Sequence, residues 1–302
     1  PDRLMHPRRI LDGVRKGVEA GGNKSGIPTI NGALCFDERY LGKPLVYCGT
    51  GGVMPRVIAG RPCESKDIHA GDRIVMVGGR IGKDGIHGAT FSSLALDESS
   101  PVTAVQLGDP ITQKRMSDFL LEARDLGLYR AITDNGAGGL SSSVGEMAGL
   151  AGGAVMDVAL APTKYPGLLP YELVISESQE RMTLAVPPSS LPAFLDLARR
   201  RNTEATDLGS FEKSGRFRVL YRGQGVADLG LDFLHDGCPK LKLAAEWKEP
   251  VSDAPARMPA GESEKFFREQ GREILLDLLG SPNIASKEWL IRQYDHEVQG
   301  QS

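Results

Sequence analysis

Apolar and polar positions recur along this chain at two periods, and each change of period marks an element. Residues 9–20 carry Ile10, Leu11, Val14 and Val18 at helical spacing with basic residues opposite, and Gly21-Gly22 ends that helix. Residues 26–32 read as a turn and a short strand, and 44–48 (Pro-Leu-Val-Tyr-Cys) as a buried strand. A clear strand covers 72–78. A glycine-rich loop, 79–88, follows it with Arg80, Lys83 and His87. That loop is either an anion-binding loop or an exposed basic turn, and it lacks the GxxxxGK[ST] spacing of a P-loop. His87 stands alone and is not assigned catalysis. Residues 112–126 form a helix with Met116, Phe119, Leu120 and Ala123 on its core face, stopped by Gly127.

Further along, 152–158 is apolar, 162–170 is a proline-rich loop, and Met182 opens a strand to residue 186. Residues 190–200 form an amphipathic helix. Strands at 205–210 and 217–221 flank a Lys-Ser-Gly turn. After a segment rich in Pro, Ala, Glu and Lys comes a helix at 263–279, with Phe266, Phe267, Ile274, Leu275 and Leu278 expected to face inward. Strands and helices mix without regular βαβ alternation, so the expected class is α+β.

The rest is organised around residues 106–146: Gln-Leu-Gly-Asp-Pro, a helix, Ile-Thr-Asp-Asn-Gly-Ala-Gly-Gly-Leu, and a second helix ending near Glu146. Asp109, Asp134 and Glu146 flank its turns. Asp134 ends a short strand. Gly136, Gly138 and Gly139 then allow a tight turn, and Ser141, Ser142 or Ser143 can cap the next helix. Such a turn suits an anion at the helix end and a hard cation on the carboxylate; equally, the turn is only a turn and the Asp only a cap. Glu177-Ser178-Gln179, polar between apolar runs, is either a ligand-facing junction or a hydrated turn.

Composition narrows the class. The chain has 302 residues, 40% hydrophobic and 25% charged, with net charge −3 and a pI near 6.0. That is enough for a substantial core and roughly two domains, and it does not point to a general nucleic-acid binder. The four cysteines are scattered without a CxxC pair, so a reduced cytoplasmic protein is expected rather than a disulfide scaffold or a zinc site. No stretch approaches the ~20 apolar residues of a membrane span, and no signal peptide is present. The chain opens on Pro1 and stops after Gly300-Gln301-Ser302, which reads as a piece of a longer polypeptide.

Several stretches, in order, carry a resemblance. They are Gly26-Ile27-Pro28-Thr29, residues 85–93, 105–110, 134–140 and 177–181, and the terminal run Ser281-Pro282-Asn283-Ile284-Ala285-Ser286-Lys287-Glu288-Trp289 with Tyr294-Asp295-His296-Glu297-Val298-Gln299-Gly300. Together they resemble formylglycinamidine ribonucleotide amidotransferase (phosphoribosylformylglycinamidine synthase), synthetase subunit. The terminal run argues against the selenophosphate, thiamine-phosphate and hydrogenase-maturation members of the same superfamily. A third alternative is a scaffold that docks a glutaminase.

The resemblance implies the carboxy-terminal domain of an aminoimidazole ribonucleotide synthetase-like fold, flanked by partial amino-terminal-type domains. Residues 1–65 would be the tail of the first amino-terminal-type domain, and 66–240 the carboxy-terminal-type domain. A linker, 241–262, would lead into the start of a second amino-terminal-type domain at 263–302. It further implies ATP-dependent conversion of formylglycinamide ribonucleotide and glutamine-derived ammonia to the amidine in purine biosynthesis, with Mg²⁺ required and a glutaminase as partner. Gln106, Glu177, Ser178 and Gln179 would contact substrate and Asp134 would bind magnesium. The family's catalytic histidine is not in these residues, so the chain alone would be inactive; His296 is not assigned that role. Where the family shows Gly-Gly-Glu after Pro-Thr, this chain has Asn31-Gly32-Ala33.

Overall fold

The computed structural model describes residues 4–42, 44–58, 60–86, 108–249, 260–294 and 296–298. Gln106 and His87 lie outside them.

The chain starts with α1 (Pro7–Gly21), with Pro7 in the first turn and the His6 ring accepting the Arg8 amide at 3.2 Å. None of its residues is buried. The two strands expected next do not form: 29–32 and 44–48 are irregular, and Leu45 and Tyr47 are exposed. An apolar run becomes a strand only when a neighbour takes its backbone hydrogen bonds, and among the described residues no strand pairs with either segment. The antiparallel pair β1 (Val57–Ile58) and β2 (Arg61–Pro62) follows.

The next elements are β3 (Arg73–Gly78), α2 (Pro110–Asp125), β4 (Ala131–Asp134), α3 (Gly139–Ala151), β5 (Ala154–Asp157), α4 (Pro170–Ile175), β6 (Arg181–Val186), α5 (Leu191–Arg200), β7 (Ala205–Phe211), β8 (Arg216–Tyr221), β9 (Gln224–Gly230) and α6 (Leu231–Asp236). They build one seven-stranded sheet in the order β4-β6-β3-β7-β5-β8-β9. Every pairing is antiparallel except β5 with β8. This is the α+β class expected from the irregular alternation.

Strand β3 is the centre, and its side chains alternate between two cores. Ile74 and Met76 meet Leu140, Val144 and Met147 of α3. Val75 and Val77 meet Phe119 of α2 and Phe194 of α5 on the other face. The Phe119 and Phe194 rings pack edge to face, 5.0 Å between centroids. Burying each large side chain contributes about 1.5–3 kcal/mol. The expected core face of α2 (Met116, Phe119, Leu120, Ala123) is buried as a set.

Strands β7 and β8 are joined by four residues, Glu212 to Gly215, yet they are not neighbours: β5 lies between them. Ala154 pairs with Phe211 on one side and Phe217 on the other. The Glu212 and Gly215 amides donate to the Gly153 and Gly152 carbonyls at 2.9 and 2.8 Å, so the connection straddles that glycine pair. A Cβ at Gly209 would stand 2.0 Å from the Val155 carbonyl oxygen, so β7 passes β5 this closely only with glycine there.

Beyond an irregular stretch, 237–249, come α7 (Ala260–Gly280) and α8 (Glu288–Ile291). The inward face expected for α7 is not covered: Phe267, Leu275 and Leu278 are exposed, with Phe266 and Ile274 only partly buried. Asn283 ties this end of the chain to the beginning, accepting the Phe36 amide and donating to the Phe36 carbonyl at 2.6 and 2.9 Å. Among the described residues no helix is long and apolar enough to cross a membrane.

Candidate functional site

The ends of β4, β6 and β3 lie side by side, because Asp134 pairs with Met182 and Gly78 with Arg181. Asp134 closes β4 exposed to solvent, its Oδ1 accepting the Gly136 amide at 2.9 Å. The chain then turns through Gly138 and Gly139, both left-handed (φ +80 and +56), into α3. A Cβ on Gly139 would lie 2.1 Å from the Ser176 carbonyl oxygen, so the turn abuts the 176–180 junction. The helix starts earlier and ends later than its sequence pattern suggested. Gly138 is the N-cap, the three serines lie inside the helix, and Ser141 Oγ donates back to the Gly138 carbonyl at 2.6 Å. Glu146 is exposed on α3 and accepts from Ser142 Oγ; Asp109 caps α2 through the Ile111 amide and the Thr112 hydroxyl. Neither points to the glycine turn by these contacts.

The junction between α4 and β6 alternates. Ser176 and Ser178 are fully buried, whereas Glu177 and Gln179 are partly exposed. Glu177 Oε1 accepts the Gly138 amide at 3.2 Å, so a carboxylate of the chain itself stands at the start of α3, where a helix favours negative charge. Gln179 Nε2 donates to the Glu177 carbonyl at 3.0 Å. Ser178 is turned inward: its hydroxyl donates to Asp84 and accepts the Gly82 amide at 2.8 Å. The three residues of this run therefore differ in reach, and only Glu177 and Gln179 present side chains at the surface.

Several groups that sequence reasoning passed over hold this corner. Asp84 also pairs with Lys164 at 2.9 Å. Burial, the largest influence on Asp84, pushes its pKa up, but the Ser178 hydroxyl and Lys164 outweigh it and leave the group below the usual range. Arg181 is buried and donates to the carbonyls of Ser178 at 2.8 Å and Ser176 at 2.5 Å. Burial brings its pKa down to about 10, against the pull of Asp84. Glu180 has left-handed backbone (φ +54), and burial raises its carboxyl pKa while the Asp109 amide acts the other way. Asn135 is buried; its Oδ1 accepts Thr183 Oγ1 at 2.7 Å and its Nδ2 has no hydrogen-bond partner among the described residues. The signal available for Arg181 was a charged residue opening an apolar strand.

Of the expected site residues, Asp134, Glu177, Ser178 and Gln179 gather at this corner. Gln106 lies outside the described residues, but the nearby Gly108 lies against Glu180, its Cβ position 3.2 Å from Oε1. Among the described residues no three His, Cys, Asp or Glu side chains cluster to hold a metal. Asp134 is exposed and carries the oxygen chemistry of a hard-cation ligand, and a magnesium site commonly takes one or two carboxylates, completed by phosphate oxygens and water.

Comparison with known proteins gives the chain a family. The chain is similar to the phosphoribosylformylglycinamidine synthase subunit PurL of Methanopyrus kandleri, 36% identical over 97% of this chain and 40% of that protein. It is likewise similar to the Thermococcus gammatolerans subunit, 38% identical over 98% of this chain and 40% of that protein. It thus spans about 40% of the length of these curated relatives. Among solved structures, Thermotoga maritima PurL complexed with FGAR matches with TM-score 0.62 and 28% identity, over 83% of this chain and 40% of that one. The same protein complexed with ATP matches with TM-score 0.59 and 26% identity, over 83% and 38%. The family described as "AIR synthase related protein, C-terminal domain" matches residues 69–222, half of the chain and the span of β3 to β8, and the chain therefore belongs to that family.

Proposed function

We propose that this chain forms part of the substrate site of a phosphoribosylformylglycinamidine synthase, the ATP-dependent ligase that converts formylglycinamide ribonucleotide and ammonia to the amidine in purine biosynthesis. One observation carries the reading: Asp134 at the end of β4, and Glu177 and Gln179 just before β6, lie at adjoining strand ends beside the start of α3, in a fold shared with a relative solved in complex with FGAR. The curated relatives named above bear this synthase's name and not that of a selenophosphate, thiamine-phosphate or hydrogenase-maturation enzyme, which favours it over those alternatives.

In this reading Glu177 and Gln179, with Gln106, bind and orient the ribonucleotide through amide and carboxylate groups. Ser178 acts from beneath through Asp84. Asp134 is the ligand for Mg²⁺, which when bound neutralises charge on the phosphates of ATP. The ammonia comes from a glutaminase partner, and the setting is the cytoplasm.

The test is calorimetric titration of formylglycinamide ribonucleotide into the chain, with and without Mg²⁺. Binding that Gln106→Ala weakens, and whose Mg²⁺ dependence Asp134→Asn removes, is expected. Binding indifferent to both substitutions defeats the assignment.

A further inference from the structure

The buried groups under the 176–180 junction form a device that the substrate reading does not use. Arg181 reaches the carbonyls of Ser176 and Ser178, which bracket Glu177. A planar guanidinium can hold two such oxygens at once from one position; a lysine ammonium cannot do so in fixed geometry. Holding both carbonyls inward fixes the backbone between them. Asp84 locks the same segment from the other side. Its side chain takes the Ser178 hydroxyl and Lys164, and its carbonyl accepts the Glu177 amide at 2.8 Å. Arg181 and Asp84 thus keep two small hydroxyls facing in and leave two long polar side chains facing out.

The cost of this arrangement shows that it is specific. A buried guanidinium loses its water; the carbonyl oxygens it donates to carry no full charge, and the nearby Asp84 carboxylate offsets only part of that loss. The left-handed Glu180 makes the bend that lets Arg181 turn back under the run; such backbone is unfavourable outside glycine.

Resting on the substrate reading above, we propose that Arg181 and Asp84 are positioning residues. They present the Glu177 and Gln179 side chains to the ribonucleotide without touching it.

Two variants test this, Arg181→Lys and the isosteric Asp84→Asn, so that a folding failure of one leaves the other. Glu177→Ala serves as the direct-contact control. Amide hydrogen exchange at Glu177 and Ser178 is expected to speed by about tenfold or more, while β3 and β7 amides keep their protection. In the full-length protein, KM for formylglycinamide ribonucleotide is expected to rise about tenfold with kcat within about threefold, the mark of lost binding. Unchanged exchange, or loosening of the whole sheet, overturns the proposal. Local loosening with KM unchanged, while Glu177→Ala raises KM, overturns the positioning role and leaves the substrate reading standing. If Glu177→Ala itself leaves KM unchanged, the substrate reading falls and takes this proposal with it.

Discussion

Helix α2 and helix α7 carry the same kind of signal, an apolar stripe at helical spacing, and meet opposite fates. On α2, Phe119 is wholly buried against Phe194 and the sheet. On α7, Phe267 is 64% exposed and Leu275 56%. The contrast extends to whole regions. Strands β3 and β6 are covered on both faces, whereas α1 buries no residue and 45–48 lies open. An amphipathic pattern says that a face seeks cover; which residues supply the cover is decided by the rest of the fold.

Substitutions can break or sharpen that contrast. Phe119→Ala is expected to cost about 3–5 kcal/mol, as a large core deletion does. Denaturant unfolding measures it, and a loss below about 1 kcal/mol would mean that α2 is no better seated than α7. Gly139→Ala comes next, at roughly 2–3 kcal/mol, because it places a Cβ against the Ser176 carbonyl at a left-handed φ; thermal melting unchanged by this substitution would refute the close approach.

Asp109→Ala should remove a helix cap worth about 1 kcal/mol. The Thr112 hydroxyl, and less strongly the Thr112 and Ile111 amides, hold the Asp109 carboxyl below its usual range. Its contribution is therefore complete above the ordinary aspartate pKa and disappears as pH falls through the lowered one. Wild type and variant should converge in stability in acid, and a difference that persists there contradicts the cap. Smallest of all, Phe267→Ala should change stability within about 0.5 kcal/mol, and a core-sized loss would show that α7 is covered after all.

Much of the central unit was legible. Strand β3 is a continuous apolar run because it is buried on both faces, and α2 shows its core residues at the right spacing. Strand β9 was not legible, since Gln-Gly-Val-Ala-Asp-Leu-Gly has weak strand preference and forms by pairing with β8 at the sheet edge. Conversely, 44–48 has the composition of a strand and no partner among the described residues. At the site, Asp134 stood out as a carboxylate between a short strand and a glycine turn, and Glu177 as a polar residue between apolar runs. The inward turn of Ser178 could not be read, because its partner Asp84 is far off in sequence and reaches it only when β3 and β6 pair. The α3 cap was misread for a related reason: the serines are good caps, but the left-handed Gly138 starts the helix before them.

The way β5 sits between β7 and β8 has a consequence for how the sheet is made. Strands separated by only four residues would ordinarily close on each other within microseconds, long before any distant segment arrives. Here that quick hairpin is the wrong product, because the native neighbour of both strands is a segment roughly fifty residues earlier in the chain. The slow closure of a long loop must come first, or the fast local pairing must reopen. The glycines at 153 and 209 stand where that late insertion leaves no room for a side chain, so they matter to the product of this order of assembly as well as to its fit.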